Sequence, residues 1–281
     1  MGLPSLHVDF LRSCQNSDGG WGYFPGKQSW LEPTVWAALA FPASDPASAK
    51  AWKLVASWQN EDGSCRPAAN VNLPNWTAAL AVILAVRHQE KEAAKRGVAY
   101  LLGTTGADSS TMARIAKFLS PGHTDREPKF QGWPWKAGNS SWIEPTAHSI
   151  TALRLAAKLL GGSAETASVR IESAQNMILN QRCQDGGWNY GAKVALGHPL
   201  ASFPETTALA LAGLAGRPVR DAVSYAEKLA SQRQSPLAQA WLRVALGLHG
   251  VPVAEPGQVP LPPQPDVLIT AIEALDWRVL A

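Results

Sequence analysis

A self-similar unit recurs four times along this chain of 281 residues, and such a repeat narrows the fold more than the composition does. In each copy a Gly-rich turn, typically Asp-Gly-Gly-Trp, leads through a short segment into an Ala/Leu-rich stretch. Helices do not tolerate such turns, whereas the flanking stretches have apolar residues three and four positions apart. The unit therefore predicts a helix, a turn and a second helix. The four turns contain Trp21, residues 62–65, Trp133 and Trp188.

Two kinds of helix alternate along the repeats. One kind carries its charged residues on a single stripe and is expected to face water, whereas the other is apolar on almost every side and is expected to be buried. The predicted outer helices are 4–15, 46–59, 91–103, 165–182 and 220–233. The predicted inner helices are 33–42, 75–86, 145–160, 205–215, 236–248 and 266–277.

About six inner helices inside five to six outer helices make an all-α, single-domain α/α toroid that spans residues 1–281. An open solenoid is the alternative, because periodicity alone does not require closure. Insertions near 103–130 and 191–203 are expected to form surface loops over a site. The Pro-rich segment 251–265 is expected to cross as an extended strap in place of the last outer helix.

Composition excludes several classes of function. The net charge of +3 is small and scattered, so we expect no binding to nucleic acid. The first ten residues lack a basic stretch followed by an apolar run, which indicates a cytoplasmic protein, with peripheral membrane contact left open. The cysteines, Cys14, Cys65 and Cys183, are odd in number and widely spaced, so neither a disulfide framework nor a zinc site is expected. We expect no metal and no cofactor.

A Gln ahead of Gly-x-Trp, followed by an Ala/Leu helix that begins at Thr, resembles the QW-type repeat of squalene/hopene cyclases and protein prenyltransferase β subunits. The resemblance to this terpenoid cyclase/protein prenyltransferase superfamily runs from about residue 10 to residue 277. It implies the α/α toroid, and it implies that the Gln and Trp side chains tie adjacent repeats together. The residues in these positions are Gln15, Gln59, Gln184, Trp21, Trp133 and Trp188.

Acidic residues at the starts of inner helices carry the functional part of the resemblance. Class II cyclases place a D-x-D-D-T cluster there, whose middle Asp protonates the substrate. The segment from Asp266 to Thr270 looks like this cluster with only the first acid kept. Glu32 and Glu144 fall at the position of the middle acid on other inner helices, and Glu205 falls at that of the third. The resemblance implies Glu144, Glu32 and Asp266 as catalytic candidates around one mouth of the toroid.

Capping of the helices is the alternative role for these acids. A carboxylate before Pro-Thr suits the first turn of a helix, where the helix dipole favours an anion. The same dipole keeps the carboxylate ionised, which opposes its use as a general acid unless the site is dry and the carboxyl groups are crowded.

Zinc binding of the prenyltransferase kind lacks its ligands. In that family a His directly precedes the inner-helix Thr, whereas Trp76, Glu205, Ile269 and two prolines occupy those positions here. His148 and Cys65 do not match the ligand spacing either, so we expect His148 to line the lumen instead. The D-D-x-x-D metal motif and Gly-rich phosphate loops are also missing from the sequence.

Tryptophans cluster near the starts of the inner helices, where they could line a cavity and stabilise an apolar chain or a carbocation. Filling of the ring's centre is the alternative, and it applies also to Trp36 and Trp241. The segment from Trp133 to Ser140 is the predicted mouth. The predicted substrate-binding residues are Trp30, Trp76, Trp133, Trp135, Trp142, His148 and Glu205.

Two functions from different classes follow. The first is a squalene/hopene-cyclase-like enzyme that acts on an isoprenoid or other apolar substrate without the usual D-x-D-D acid. The second is a non-catalytic protein that binds a lipid or isoprenoid, or serves as a protein-interaction scaffold. A polysaccharide lyase or hydrolase on an α/α toroid ranks third, because its signature is different. The sequence specifies no partner subunit and no oligomeric state.

Overall fold

The computed structural model describes residues 6–73, 76–120, 126–161, 164–258 and 260–281, with the backbone alone for 164–166. Within these ranges the chain forms twelve α-helices and one short β-hairpin. The helices are α1 (Leu6–Ser13), α2 (Leu31–Leu39), α3 (Pro46–Ser57), α4 (Thr77–Arg87), α5 (Lys91–Gly103), α6 (Thr111–Leu119), α7 (Ile143–Leu160), α8 (Ala164–Asn180), α9 (Pro204–Gly213), α10 (Arg220–Ala230), α11 (Pro236–Leu248) and α12 (Val267–Ala274). The hairpin pairs β1 (Val194–Ala195) with β2 (His198–Pro199), and 3-10 turns occupy Ala107–Ser109 and Trp277–Leu280.

Six inner helices close into a ring. Helices α2, α4, α7, α9, α11 and α12 pack in that order, and α12 packs back against α2. Their residues are mostly Ala, Leu and Val and are mostly buried, because each helix has neighbours on all sides. The all-α toroid is confirmed, and the open solenoid is excluded by the contact between α12 and α2.

Outer helices cover the grooves of this ring. Helix α3 packs on α2 and α4, α5 packs on α4 and α7, and α10 packs on α9 and α11. Helix α8 packs on α7, and α1 packs on α12. In the described part of 251–265 there is neither helix nor strand, and Gly257 N donates to Glu273 O at 2.9 Å. None of the helices in the described residues has the length and apolar character needed to cross a bilayer.

Glycine is required in the turns because the backbone there is left-handed and crowded. Gly63 has φ +86°, and a Cβ added to it would lie 2.1 Å from Arg96 O in α5. Gly19 has φ +92°, and a Cβ added to it would lie 2.9 Å from Lys50 O in α3. The first two turns therefore pack directly against the backbone of the next outer helix.

In the first, third and fourth turns, a Trp connects an outer helix before it with the inner helix after it. Trp21 donates its indole Nε1 to Leu11 O in α1 at 2.7 Å and its backbone N to Thr34 Oγ1 in α2 at 2.9 Å. Trp188 makes the same two bonds, to Ile178 O and to Thr207 Oγ1. These buried donors are thus satisfied within the repeat.

Glutamines join successive outer helices in the first two repeats. Gln15 Nε2 donates to Ala47 O at 2.8 Å, and Gln59 Nε2 donates to Ala93 O at 3.0 Å. The expectation for Gln184 is wrong, because its side chain is exposed. Arg182 stands three residues before the turn's Asp instead, and its Nε donates to Gly186 O at 2.8 Å.

A further backbone bond joins each of the four turns to the preceding inner helix. The acceptor is the residue two positions after the Trp, or after Cys65 in the second turn. Tyr190 O accepts from Ile143 N at 3.0 Å, and Pro67 O accepts from Leu31 N at 2.8 Å. In the first turn, Tyr23 O accepts from Val267 N at 2.9 Å, which joins α12 to the beginning of the chain. The third turn makes a longer bond of 3.4 Å, from Trp76 N to Trp135 O.

The two insertions meet at one arginine. Arg126 Nη1 donates to Asp108 Oδ2 at 2.6 Å, and its Nη2 donates to Gly191 O at the same distance. Asp108 also accepts from Ser141 N at 2.9 Å, as Asp18 accepts from Gly20 N in the first turn. The insertion thus supplies the acid that the third turn lacks.

Candidate functional site

Three glutamates occupy the same position on three inner helices. Each is the second residue of its helix and stands two residues before the Thr that binds the turn's Trp. For Glu205 this Thr is Thr207, not Thr206, so its predicted alignment with the third acid of the cyclase cluster is wrong. The shared pattern is aromatic-x-Glu-x-Thr, and it occurs from Trp30, Trp142 and Phe203.

Glu32 and Asp266 differ in how their helices use them. Asp266 Oδ1 accepts from Ile269 N at 3.0 Å, so the alternative role as a helix cap holds for this residue. Glu32 Oε2 instead accepts from the phenol of Tyr23 at 2.6 Å. The three glutamate helices begin at aromatic residues whose side chains make no capping bond.

Burial keeps the proton on Glu32. It raises the pKa of this carboxyl from 4.5 to about 7, against the opposing effect of the Tyr23 hydrogen bond. The negative charges of Glu144, Asp266 and Glu205 raise this pKa further. Burial and the charge of Glu144 also raise the pKa of Glu205. Four carboxyl groups at the starts of α2, α7, α9 and α12 therefore lie near enough to affect one another's charge, and we call this region the mouth.

His148 connects this mouth to an aromatic box. Its Nε2 lies 3.7 Å from Glu144 Oε1, one helical turn earlier, and accepts or donates no hydrogen bond among the described residues, although the side chain is buried. The box is formed by Trp36, Trp76 and Trp241, whose ring centroids lie 5.4, 5.9 and 5.9 Å from that of His148. Trp36 and Trp241 also meet edge to face at 5.0 Å.

The other predicted binding residues lie at three different places. Trp135 packs edge to face on Trp76 at 4.9 Å, so it extends the aromatic box. Trp30 lies 6.3 Å from the ring of Tyr23, beside Glu32. Trp142 lines a groove of about 390 Å³, together with Tyr190 and Phe203.

Trp133, which was also among the predicted substrate-binding residues, has the tying contacts that the repeat predicts. Its indole is buried, donates to Leu101 O at 2.9 Å and has the guanidinium of Arg170 3.5 Å above its ring. Its two hydrogen bonds are structural, because they join α5 to α7 as those of Trp21 join α1 to α2.

Tyr23 is the site residue that the sequence analysis missed. The signal available was an aromatic residue two positions after the turn's Trp, which recurs at Trp135 and Tyr190. Within the described ranges, no group of three or more His, Cys, Asp or Glu side chains is arranged to hold a metal ion.

Comparison with known proteins finds similarity in solved structures alone. No known family profile and no curated protein matches the chain. A crystal structure of a protein from Actinoplanes is 18% identical over 86% of this chain and 72% of its own, with a TM-score of 0.54. An ent-copalyl diphosphate synthase from Streptomyces platensis is 19% identical over 97% of this chain and 45% of its own, with a TM-score of 0.44.

A third solved structure is a type II terpene cyclase from Scytonema in complex with geranylgeranyl dihydroxybenzoate. It is 17% identical over 98% of this chain and 95% of its own, with a TM-score of 0.39. At these identities the similarity concerns the fold alone, and of these three structures the Actinoplanes protein has the TM-score that supports it.

Proposed function

We propose that the chain is a cyclase-like enzyme that binds an isoprenoid or other apolar molecule at the mouth of the ring and protonates it with Glu32. The observation that carries the proposal is the pKa of about 7 for Glu32, caused by burial and by three neighbouring acids. At neutral pH a large fraction of Glu32 is then a neutral carboxylic acid, which is the form a general acid needs.

The proposed chemistry is a proton transfer. The Glu32 hydroxyl gives its proton to a carbon of a double bond, or to an epoxide oxygen, and becomes a carboxylate. Tyr23 donates to Oε2 of Glu32, so it would stabilise the carboxylate that forms, and Oε1 is left to carry the proton. Return of a proton from the resulting cation to a carboxylate gives an isomeric product.

The aromatic box would stabilise the cation. Indole faces attract positive charge at distances of up to about 6 Å from the ring centroid. Trp76 is only partly buried and packs on Trp135, so it can present a face to a ligand at the mouth. Glu144 contacts His148, which packs on the box, and the negative charge of Glu144 would complement the same cation.

A second candidate is a binding protein without catalysis. It is favoured by the packing of Trp36 and Trp241 against His148, which fills the space between α2, α7 and α11. It is favoured also by Asp266, which is engaged as a cap. The ligand class is the same in both candidates.

The deciding experiment measures binding and turnover separately. Farnesyl, geranylgeranyl and squalene-type compounds are incubated with wild type, Glu32→Gln and Glu144→Gln, and native mass spectra are compared with extracted products. Glu61→Gln is the matched control, because Glu61 is an exposed acid of a turn. A cyclic product that is lost in Glu32→Gln and kept in Glu61→Gln supports the enzyme. Bound ligand without product supports the binding protein, and neither ligand nor product refutes both.

A further inference from the structure

A groove of about 390 Å³ lies between the start of α7 and the start of α9. Its walls include the rings of Trp142, Tyr190 and Phe203, and Leu200 of the second insertion completes the apolar lining. The ring centroids of Tyr190 and Phe203 lie 5.2 Å apart, and these side chains are 47 and 46% exposed. The groove therefore offers aromatic surface to a small ligand.

Two polar side chains of the lining are engaged by the protein itself. The guanidinium of Arg126 donates to Asp108 Oδ2 and to Gly191 O, both at 2.6 Å. Asn189 Oδ1 accepts from Gly191 N at 3.2 Å, and its Nδ2 donates to Ala201 O at 3.3 Å. These bonds hold the insertion in place. The lining therefore suits an apolar group of a ligand rather than a charged one.

The groove adjoins the mouth. Trp142 and Phe203 directly precede α7 and α9, and Glu144 and Glu205 are the second residues of these helices. The two helices pack against each other, and the charge of Glu144 raises the pKa of Glu205. A ligand that lies at these carboxyl groups can therefore extend into the groove.

The size of the groove fits a prenyl tail. A methylene group takes about as much space as a water molecule in the liquid, about 30 Å³, so 390 Å³ holds about 13 carbon atoms with their hydrogens. This corresponds to about two to three isoprene units. In the aromatic box, by contrast, the rings of Trp36, Trp241 and His148 pack on one another at 5.0 to 5.9 Å.

The charges near the groove disfavour an anionic head group. The negative charges of Glu144 and Asp266, which raise the pKa of Glu32, would also repel a diphosphate. Arg126 is the charged residue of the groove, and Asp108 already pairs with its guanidinium. An uncharged hydroxyl head meets no such repulsion, and it can donate a hydrogen bond to a carboxylate.

We propose that the groove binds the apolar tail of an uncharged prenyl compound, such as a prenyl alcohol of about fifteen to twenty carbons, whose other end lies at the mouth. The proposal rests on the proposed function for the class of ligand. It adds the place of the tail, which is outside the centre of the ring, and the absence of charge on the head.

The first test is equilibrium dialysis with tritiated farnesol and tritiated farnesyl diphosphate. Leu200→Trp fills the groove, so it is expected to lower the affinity for farnesol at least about tenfold. Val194→Trp is the matched control, because it places the same side chain in the same insertion at a position that is 37% exposed and outside the lining. It is expected to bind like wild type. Wild type is expected to bind the diphosphate about tenfold more weakly than farnesol.

The second test locates the tail directly. Farnesol with a diazirine at the end remote from its hydroxyl is bound and irradiated, and the labelled peptides are identified by mass spectrometry. The label is expected between Tyr190 and Phe203. Label on Trp36 or Trp241, equal affinity of wild type and Leu200→Trp, or an equal loss in Val194→Trp would overturn the groove and leave the proposed function standing.

The remaining outcomes separate the two proposals further. Tighter binding of farnesyl diphosphate than of farnesol would overturn the uncharged head. Farnesol that labels the groove and is never converted to a product would support the groove and overturn the enzyme. No binding of farnesol to wild type would overturn the groove, whereas product formation from another compound would still support the enzyme.

Discussion

Glu32 is held between two opposing influences on its charge. The phenol of Tyr23 favours the carboxylate through a short hydrogen bond, whereas burial and three nearby acids favour the protonated form. Burial has the larger effect, and the pKa is about 7. Because the folded state favours the protonated form of Glu32, loss of this proton must destabilise the fold.

The free energy of unfolding should therefore decrease as the pH rises from 4.5 to 7. Glu32→Gln should remove most of this decrease. In the unfolded chain the carboxyl loses its proton near 4.5, whereas in the folded chain it does so near 7. The folded state thus binds more protons in this interval, so its stability decreases as pH rises. The difference amounts to about 3 kcal/mol above pH 7. Urea unfolding at pH 4, 6 and 8 measures it.

Glu32→Gln is expected to match wild type at pH 4 and to be more stable at pH 8, by up to about 3 kcal/mol. The amide oxygen can still accept from Tyr23, so this hydrogen bond does not confound the comparison. Glu61→Gln, in an exposed turn, should leave the pH dependence unchanged. Parallel stability curves for wild type and Glu32→Gln would show that Glu32 ionises normally in the folded protein.

The sequence was sufficient to predict that Glu32, Glu144 and Asp266 stand at the starts of inner helices, because each is followed by an Ala/Leu-rich run. It was not sufficient to align Glu205, because two threonines follow it and only the bond from Trp188 N distinguishes Thr207. The contact between Tyr23 and Glu32 depends on the path of a turn, which residue spacing does not determine.

At the scale of elements, the third turn depends on an insertion. Its Trp133 reaches back 32 residues to Leu101, whereas Trp21 reaches back 10 residues to Leu11. The additional chain contains α6 and returns Asp108 to the place where the other turns have their own Asp. The insertion therefore has a structural role.

Asp108→Ala is expected to destabilise the protein by about 1–3 kcal/mol, because Ser141 loses its acceptor and Arg126 loses its charged partner. Hydrogen exchange of residues 131–142 should increase in this variant. Asp18→Ala removes the equivalent acid of the first turn and should loosen that turn alone. Glu172→Ala, exposed on α8, is the control. Unchanged exchange around Ser141 in Asp108→Ala would contradict this role.

The positions of the inner helices were predictable from the sequence, because a helix that is buried on every side is a continuous run of apolar residues. The predicted span 236–248 agrees with α11, whereas the predicted span 266–277 ends early, at Ala274. Asp276 Oδ1 accepts from Arg278 N and begins a 3-10 turn. The ring of Trp277 then lies against Gly247, where a Cβ would come within 2.5 Å of it. This contact joins residues 30 positions apart in the sequence, so the local sequence around Trp277 does not predict it.

At the scale of the molecule, the two ends of the inner helices differ in the charged side chains that they carry. Carboxyl groups gather where the inner helices begin, and arginines bind carbonyl groups near their carboxyl ends. Arg154 Nη2 donates to Leu280 O at 2.7 Å, and Arg243 Nη2 donates to Ile272 O at 2.8 Å. Such bonds satisfy carbonyls that a helix end leaves free.

A closed ring should unfold as one unit. Ile272→Ala, in α12, removes a fully buried side chain and should cost about 2–5 kcal/mol. Urea unfolding followed by circular dichroism and by Trp fluorescence should shift together, because α12 contacts helices of both the first and last repeats. Ala254→Gly, in the exposed Pro-rich segment, is the control. Two separated transitions in Ile272→Ala would indicate that the repeats unfold independently.

The bond from Val267 N to Tyr23 O is of the same kind as the bonds that join the other repeats. Around the circumference, the boundary between α12 and the first turn thus has the same type of connection as the other boundaries between repeats. The repeats are arranged cyclically in space, although the polypeptide is linear. A circularly permuted chain that opens at the exposed tip of the hairpin, with the original termini linked, would retain every one of these connections.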